Sequence, residues 1–254
     1  MEREPVLAQP QDEEEHVLHM WEPLSFSVNE DYDYRRQGFF CRLGTGLLRI
    51  VVFVLLSVYN YVTLGMKIDG RENLKALRGR GAVTVCNHIH PMDCTMIDLA
   101  VFPRRIHYVT LDTNFRIPLV RHLIRWLGAV PLSRSPHQIA RLFEAMGAAM
   151  DDGVLVQIYP EGVLIPYAPK LRKCKGGAFR LAADYGAPVV PMVITQEPPT
   201  GLFRLYKKKP CLHLHILPAL EPDPTLPPRA AANLLRERCV QAMEARLASS
   251  QITD

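Results

Sequence analysis

The run Ala82-Val83-Thr84-Val85-Cys86-Asn87-His88-Ile89-His90-Pro91-Met92-Asp93 passes from a short apolar segment through a histidine-containing turn to an aspartate. β-branched residues favour a buried strand over Ala82–Cys86. Pro91 favours a turn or the first turn of a helix, which the sequence predicts over Asp93–Val101. Strand, turn, helix is the repeating unit of an α/β sheet. Within the turn, His88 and Asp93 form the layout of a general base with a carboxylate to orient it. An imidazole takes up a proton near neutral pH, and a carboxylate on its other nitrogen fixes the tautomer and stabilises the imidazolium. No serine or lysine adjoins the pair as a nucleophile, so the proton is expected to come from a substrate hydroxyl. Asp93 is also placed to cap its helix.

The same alternation continues outward from this stretch. Strands are predicted over Ile106–Thr110, Val130–Leu132, Val154–Tyr159, Val189–Ile194 and Cys211–Leu217. Helices are predicted over Pro118–Leu127, Pro136–Asp151, Lys175–Tyr185 and Arg229–Ala248, the last with an apolar stripe through Leu235, Cys239, Met243 and Leu247. The fold class expected is α/β, a central, mostly parallel sheet flanked by helices. His88 and Glu161 both follow strand ends, where open α/β sheets carry their sites.

Ordered along the chain, four blocks resemble the glycerolipid acyltransferase family, whose best-known members are the 1-acyl-glycerol-3-phosphate acyltransferases. Asn87, His88 and Asp93 meet the family's Asn-His-x4-Asp block. Pro118, Gly128 and Arg134 meet its proline-centred second block, Tyr159-Pro160-Glu161-Gly162 the start of its Phe-Pro-Glu-Gly-Thr-Arg-Ser block, and Ala187–Pro191 its fourth. Lys175-Gly176-Gly177-Ala178 looks like the family's Phe-Lys-x-Gly-Ala segment, and the resemblance runs from about Ile68 to Leu220. It implies a glycerol-3-phosphate acyltransferase-like fold, with His88 and Asp93 catalytic. Asn87, Pro160, Glu161, Gly162 and Lys175 are then substrate-binding. It also implies an acyl thioester co-substrate (acyl-CoA or acyl-carrier protein), a lysophospholipid acceptor, and neither cofactor nor metal.

Two departures bear on the acceptor. Val163-Leu164-Ile165 stands where the family has Thr-Arg-Ser, and Leu111-Asp112-Thr113 replaces its Lys-x-Glu. Arg116, Arg134, Arg172, Lys173 or Lys175 would then supply the missing positive charge, or the acceptor lacks a phosphomonoester. Other readings stand beside this one. His88-x-His90-x-x-Asp93 loosely resembles a metallo-hydrolase cluster, with His213 and His215 as remote ligands, although alternation with Leu212, Leu214 and Ile216 places those two on a strand's polar face. Cys86 and His88 would make a thiol nucleophile and base, poorly placed two residues apart. A lipid-binding homologue without turnover would keep the fold.

Charge separates along the chain. Met1–Asp33 is rich in acids, with the run Asp12–Glu15, whereas the net charge is +4. The basic remainder suits anionic headgroups, coenzyme A or an acidic carrier protein, and no reader motif favours nucleic acid. Hydrophobic content of 48% and charged content of 22% make the bulk of the chain globular rather than disordered. Six scattered cysteines without a Cys-x-x-Cys pair read as reduced thiols.

The expected organisation is an acidic flexible arm over residues 1–37, an apolar membrane-associating helical segment over 38–66, and an acyltransferase domain over 67–254. Leu43–Met66 is apolar almost throughout, apart from Arg49 and Asn60, and long enough to approach a bilayer span. Arg35, Arg36 and Arg42 precede it and Lys67, Arg71, Lys75, Arg78 and Arg80 follow. Both flanks therefore read as cytoplasmic. That favours an interfacial or re-entrant helical hairpin, bent at Gly44 and Gly46 or at Ser57–Asn60, over a true spanning helix or a buried core helix, with the active site on the cytoplasmic face. Leu202–Lys209, mixed apolar and basic, reads either as a solvated tip or as an interfacial contact.

Overall fold

Side chains alternate between two buried faces along every central strand, and this double burial builds the molecule. In β6 (Val189–Glu197), Val189 and Val193 enter one core while Val190, Met192 and Ile194 enter the other. In β2 (Ala82–Cys86), Val83 and Val85 join the first, Ala82 and Cys86 the second. Strands covered on both faces read as continuous apolar runs, which is how parallel sheets appear in sequence. The structure is a computed structural model describing residues 26–28, 32–35, 38–118, 120–133 and 135–251.

The remaining strands are β1 (Lys67–Asp69), β3 (Ile106–Leu111), β4 (Ala129–Leu132), β5 (Leu155–Ile158) and β7 (Cys211–Ile216). They form one seven-stranded sheet in the order β1-β7-β6-β2-β5-β3-β4. β6, β2, β5, β3 and β4 run parallel; β7 is antiparallel to β6 and parallel to β1. The helices are α1 (Phe39–Tyr59), α2 (Arg71–Ala76), α3 (Asp93–Val101), α4 (Val120–Trp126), α5 (Pro136–Asp151), α6 (Gly177–Asp184) and α7 (Pro228–Gln251). α5, α6 and α7 fill the first core, with Leu142, Met146, Phe179, Leu235, Cys239 and Met243 buried; α2 and α3 fill the second with Leu74, Met96 and Ile97. The mostly parallel α/β architecture expected from sequence is the one observed.

α1 differs from the expected hairpin. It continues through a π-helical turn at Asn60–Leu64 as a single rod, closed at Gly65 with φ +59°. Gly44 does not bend it: a Cβ there would lie 2.5 Å from the Trp126 ring, so this glycine lets the two helices approach. The helix from Leu43 to Leu64 is long and apolar enough to cross a membrane, and only 17% of its most apolar window is buried. Its outer face carries Leu47, Val51, Leu55 and Val58, all exposed. Its inner face docks on α3 through the two polar residues that interrupt the apolar run. Arg49 Nη2 donates to Asp98 Oδ1 at 2.8 Å with both groups buried, and the Thr95 hydroxyl donates to Asn60 Oδ1 at 3.0 Å. The Phe53 ring packs on Phe102, centroids 4.3 Å apart and tilted by 32°.

Most of the expected N-terminal arm lies outside the described residues. Its described part is docked: Val28 and Tyr34 are buried in the first core, and Phe26 stacks on Phe115 at 5.1 Å. Two short elements went unread in the sequence, β1 and α2, together with the 3-10 turns Asp112–Arg116 and Gly201–Leu205.

Candidate active site

β2 lies between β5 and β6, so its carboxyl end opens at the middle of the sheet. The chain leaves that end through Asn87, whose side chain is fully engaged with the adjacent strand. Its Nδ2 donates to the Ile194 carbonyl at 3.0 Å and its Oδ1 accepts from the Ile194 amide at 2.8 Å. Asn87 is buried and holds the turn in place instead of facing a substrate.

Asp93 organises the turn that follows. One oxygen, Oδ2, accepts from the Ile89 amide at 2.8 Å and the His90 amide at 2.9 Å, and lies 3.1 Å from His88 Nδ1. The side chain makes no capping bond to its own helix. An ionised carboxylate only accepts, so Nδ1 carries the proton and Nε2 keeps its lone pair. Asp93 is wholly buried, whereas the His88 side chain is 22% exposed. The imidazole stacks on the Tyr159 ring at 4.0 Å and 16°, which fixes its plane.

The chain beyond β5 completes the floor. Pro160 and Glu161 are buried, and the Pro160 carbonyl accepts from the Lys175 amide at 2.8 Å. Gly162 takes φ +75°, and a Cβ there would meet Lys175 Nζ at 2.9 Å, so the lysine side chain passes directly over this glycine. Among the described residues neither Glu161 oxygen has a hydrogen-bond partner of normal geometry, although the backbones of Arg172 and His88 approach it. Burial holds the Glu161 carboxyl above its ordinary range, against the lowering influence of Arg172 and His88. Arg172 Nη1 is likewise buried and unpartnered. Val163-Leu164-Ile165, which replaces Thr-Arg-Ser, runs beside the His88 turn: the Ile165 amide donates to the His88 carbonyl at 3.2 Å and the Tyr167 amide to the Ile89 carbonyl at 2.9 Å.

His88 opens onto a cavity of about 350 Å³. Val52 and Leu56 of α1, Tyr108, Ile117, Ile124 and Tyr159 wall it. The apolar helix is thus part of the site, a role its composition does not announce. Arg116 lies between Phe115 and Ile117 on the 3-10 turn and does not line this cavity, and Arg134 falls outside the described residues.

The competing nucleophile reading fares poorly here. Cys86 is buried, and burial pushes its thiol well above the usual range, away from the reactive thiolate. His90 Nδ1 accepts from the Met92 amide at 3.1 Å and is occupied within the turn. Backbone amides of the turn are not free to bind an oxyanion either, since Ile89 and His90 donate to Asp93, and Gly162 donates to the Tyr159 carbonyl.

A histidine–aspartate pair beyond the strand ends of an open α/β sheet, beside an apolar cavity, is equipped for proton transfer to or from a lipid-like substrate. Residues 65–195, about half of the 254-residue chain, match the acyltransferase family, and the chain belongs to that family. It is 27% identical over 147 residues to the 1-acyl-sn-glycerol-3-phosphate acyltransferase of Bacillus subtilis, covering 57% of this chain and 68% of the relative. It is 28% identical over 141 residues to the chloroplastic 1-acyl-sn-glycerol-3-phosphate acyltransferase LPAT1 of Arabidopsis thaliana, covering 55% and 38% respectively. The crystal structure of the 1-acyl-sn-glycerophosphate acyltransferase PlsC from Thermotoga maritima shares the fold, with a TM-score of 0.54 over 80% of this chain and 78% of that one, at 21% identity.

Proposed function

We propose that this acyltransferase moves a fatty acyl group from acyl-CoA or acyl-carrier protein to the free hydroxyl of a lysophospholipid, with 1-acyl-sn-glycerol-3-phosphate as the default acceptor. The observation that carries the reading is the His88 Nδ1–Asp93 Oδ2 pair at 3.1 Å on the wall of the cavity. His88 Nε2 takes the hydroxyl proton as the acceptor oxygen attacks the thioester carbonyl. The tetrahedral intermediate collapses, the C–S bond breaks, and the imidazolium returns its proton to the departing thiolate. Asp93 stabilises the imidazolium formed between these steps. A thioester is already activated, so no covalent enzyme intermediate is required. Base catalysis of this kind contributes roughly a hundred- to ten-thousand-fold, and the remainder comes from holding both substrates together.

Arg172 and Lys175, beside Glu161 and over Gly162, would supply the positive charge that a phosphate-bearing acceptor needs, although, like Arg116, neither lines the cavity onto which His88 opens. In this reading Arg172 would serve for the arginine absent from the third block. Glu161, buried with neither oxygen in a hydrogen bond of normal geometry, is suited to accept from an acceptor hydroxyl. A neutral acceptor is the second reading, favoured by the apolar Val163-Leu164-Ile165.

The outer face of α1 and the turn at Gly201–Leu205 together offer a membrane surface. Leu202 and Leu205 are 78% and 82% exposed, and Tyr206 Oη donates to the Val62 carbonyl at 2.8 Å, joining the turn to the end of the helix. Lys207, Lys208 and Lys209 follow immediately, as anionic headgroups require. A thioester-release assay against lysophosphatidate, neutral lysolipids and glycerol phosphate tests the proposal. Wild type is expected to release thiol with lysophosphatidate and His88→Ala to lose that activity while staying folded; full transfer by His88→Ala ends the proposal.

A further inference from the structure

A second cluster of histidine and carboxylate groups lies on the opposite side of the sheet from the cavity, on the face covered by α7. The register of β1 on β7 pairs Asp69 with His215, and that of β6 on β7 pairs Thr195 with His213. Alternation then turns Asp69, His213, His215, Thr195 and Glu197 toward one face. Leu212, Leu214 and Ile216 point into the core below α2 and α3. The proposed acyl transfer uses none of the five.

His213 is nine-tenths buried and lies between two carboxylates. Its Nδ1 is 2.7 Å from Glu197 Oε1 and its Nε2 is 2.7 Å from Asp69 Oδ2. Glu197 accepts a proton from Nδ1, so Nε2 is the nitrogen that faces Asp69, and it becomes a metal ligand once any proton on it is displaced. That nitrogen makes no hydrogen bond of normal geometry despite its burial. Either a proton or a metal ion between Nε2 and Asp69 Oδ2 satisfies both atoms, and a metal displaces the proton when it binds. His215 presents its Nδ1 to the same Asp69 oxygen at 3.8 Å, while its Nε2 is held 2.9 Å from the Thr195 hydroxyl. The donor atoms of Asp69, His213 and His215 lie within 4.8 Å of one another.

We infer that Asp69, His213 and His215 form a binding site for a divalent transition metal of the zinc class. Tetrahedral donors at about 2.0–2.1 Å from the ion are roughly 3.3 Å apart, and the observed 2.7 and 3.8 Å separations bracket that value. Two imidazoles and a carboxylate are the mixed nitrogen–oxygen set that zinc takes, with Glu197 as the outer carboxylate of a carboxylate–histidine–metal triad. Asp69 is 65% exposed at its side chain, so a water completes the fourth position from the solvent side. The neighbouring cations are Lys67, 2.8 Å from Glu197, and Arg246 of α7, whose Nη2 lies 3.0 and 3.1 Å from the two His215 nitrogens. Lys67 supports the outer carboxylate and is compatible with a bound ion. Arg246 competes with the metal for His215 and must swing out when the ion enters. β1 begins two residues after Gly65 closes the apolar helix, so a bound ion ties the root of that helix to the sheet.

The test is calorimetric titration of the chelator-treated full chain with Zn²⁺, with Co²⁺ absorption as a report of tetrahedral geometry. One ion per chain is expected, with a rise in melting temperature. Binding is expected to weaken at least a hundredfold in His213→Ala and at least tenfold in Glu197→Gln, and to tighten in Arg246→Gln. His88→Ala leaves it unchanged, which separates this site from the catalytic pair. If His213→Ala fails to fold, the exposed Asp69→Asn decides, with the same hundredfold loss expected. Absence of stoichiometric binding in wild type, or undiminished binding in Asp69→Asn, overturns the assignment.

Discussion

Replacing Asp93 by asparagine isolates what the buried charge contributes under the proposed base catalysis by His88. If the amide oxygen takes the place of Oδ2, it still accepts from the Ile89 and His90 amides and from His88 Nδ1, so turn and tautomer survive. What disappears is the negative charge 3.1 Å from a ring that becomes positive as it takes the substrate proton. At an effective dielectric constant of about 20, that charge pair is worth roughly 5 kcal/mol, and a neutral hydrogen bond retains about 1 kcal/mol of it. The difference, about 4 kcal/mol, corresponds to roughly a thousandfold loss in kcat. KM should move little, because the imidazolium exists only after the substrate is bound. The amide NH2 enters the place of Oδ1, which is buried without a partner, at a stability cost of about 1–3 kcal/mol. Initial rates of thiol release, measured alongside a thermal melt, separate the two effects. A folded Asp93→Asn enzyme within tenfold of wild-type kcat would refute the assignment of Asp93 as the stabiliser of a protonated His88.

Arg49→Met leaves Asp98 buried without its partner and is expected to cost about 3–5 kcal/mol. Arg49→Met/Asp98→Leu should regain most of that in chemical denaturation, and equal stabilities for the two variants would show that the pair does not pin the helix. His107 is held neutral by burial, its pKa lowered to about 4. The unfolded chain therefore binds the proton first as pH falls below about 6.5, and stability is lost between there and 4. The deficit reaches about 2 kcal/mol at pH 5. His107→Gln should flatten that acid limb in melts run from pH 7 to 5; an unchanged slope would mean that other groups govern it.

The α/β pattern was readable because it rests on local periodicity. Strands Ala82–Cys86 and Ile106–Leu111 and helices Asp93–Val101 and Pro136–Asp151 begin where apolar runs and prolines place them. The His88–Asp93 pair was readable for the same reason: five residues and one turn bring the groups together. β1 has three residues and one apolar side chain, too few to show alternation, and so went unread. The hairpin expected from the basic flanks failed because charge counting takes no account of what a helix docks against. Asn87 matches a family motif, but the motif does not reveal that its amide grips Ile194, more than a hundred residues away.

The order of polar and apolar residues determined by itself that this chain makes a buried sheet with a histidine and a carboxylate paired at one strand end, since those are near-neighbour effects. Only the tertiary structure decided that Arg49 and Asn60, the two interruptions in an apolar helix, are its docking points on Asp98 and Thr95. It alone brought Asp69 beside His213 and His215. Such contacts depend on strand order and register. These arise from the simultaneous packing of both faces of the sheet, which no local window of sequence contains.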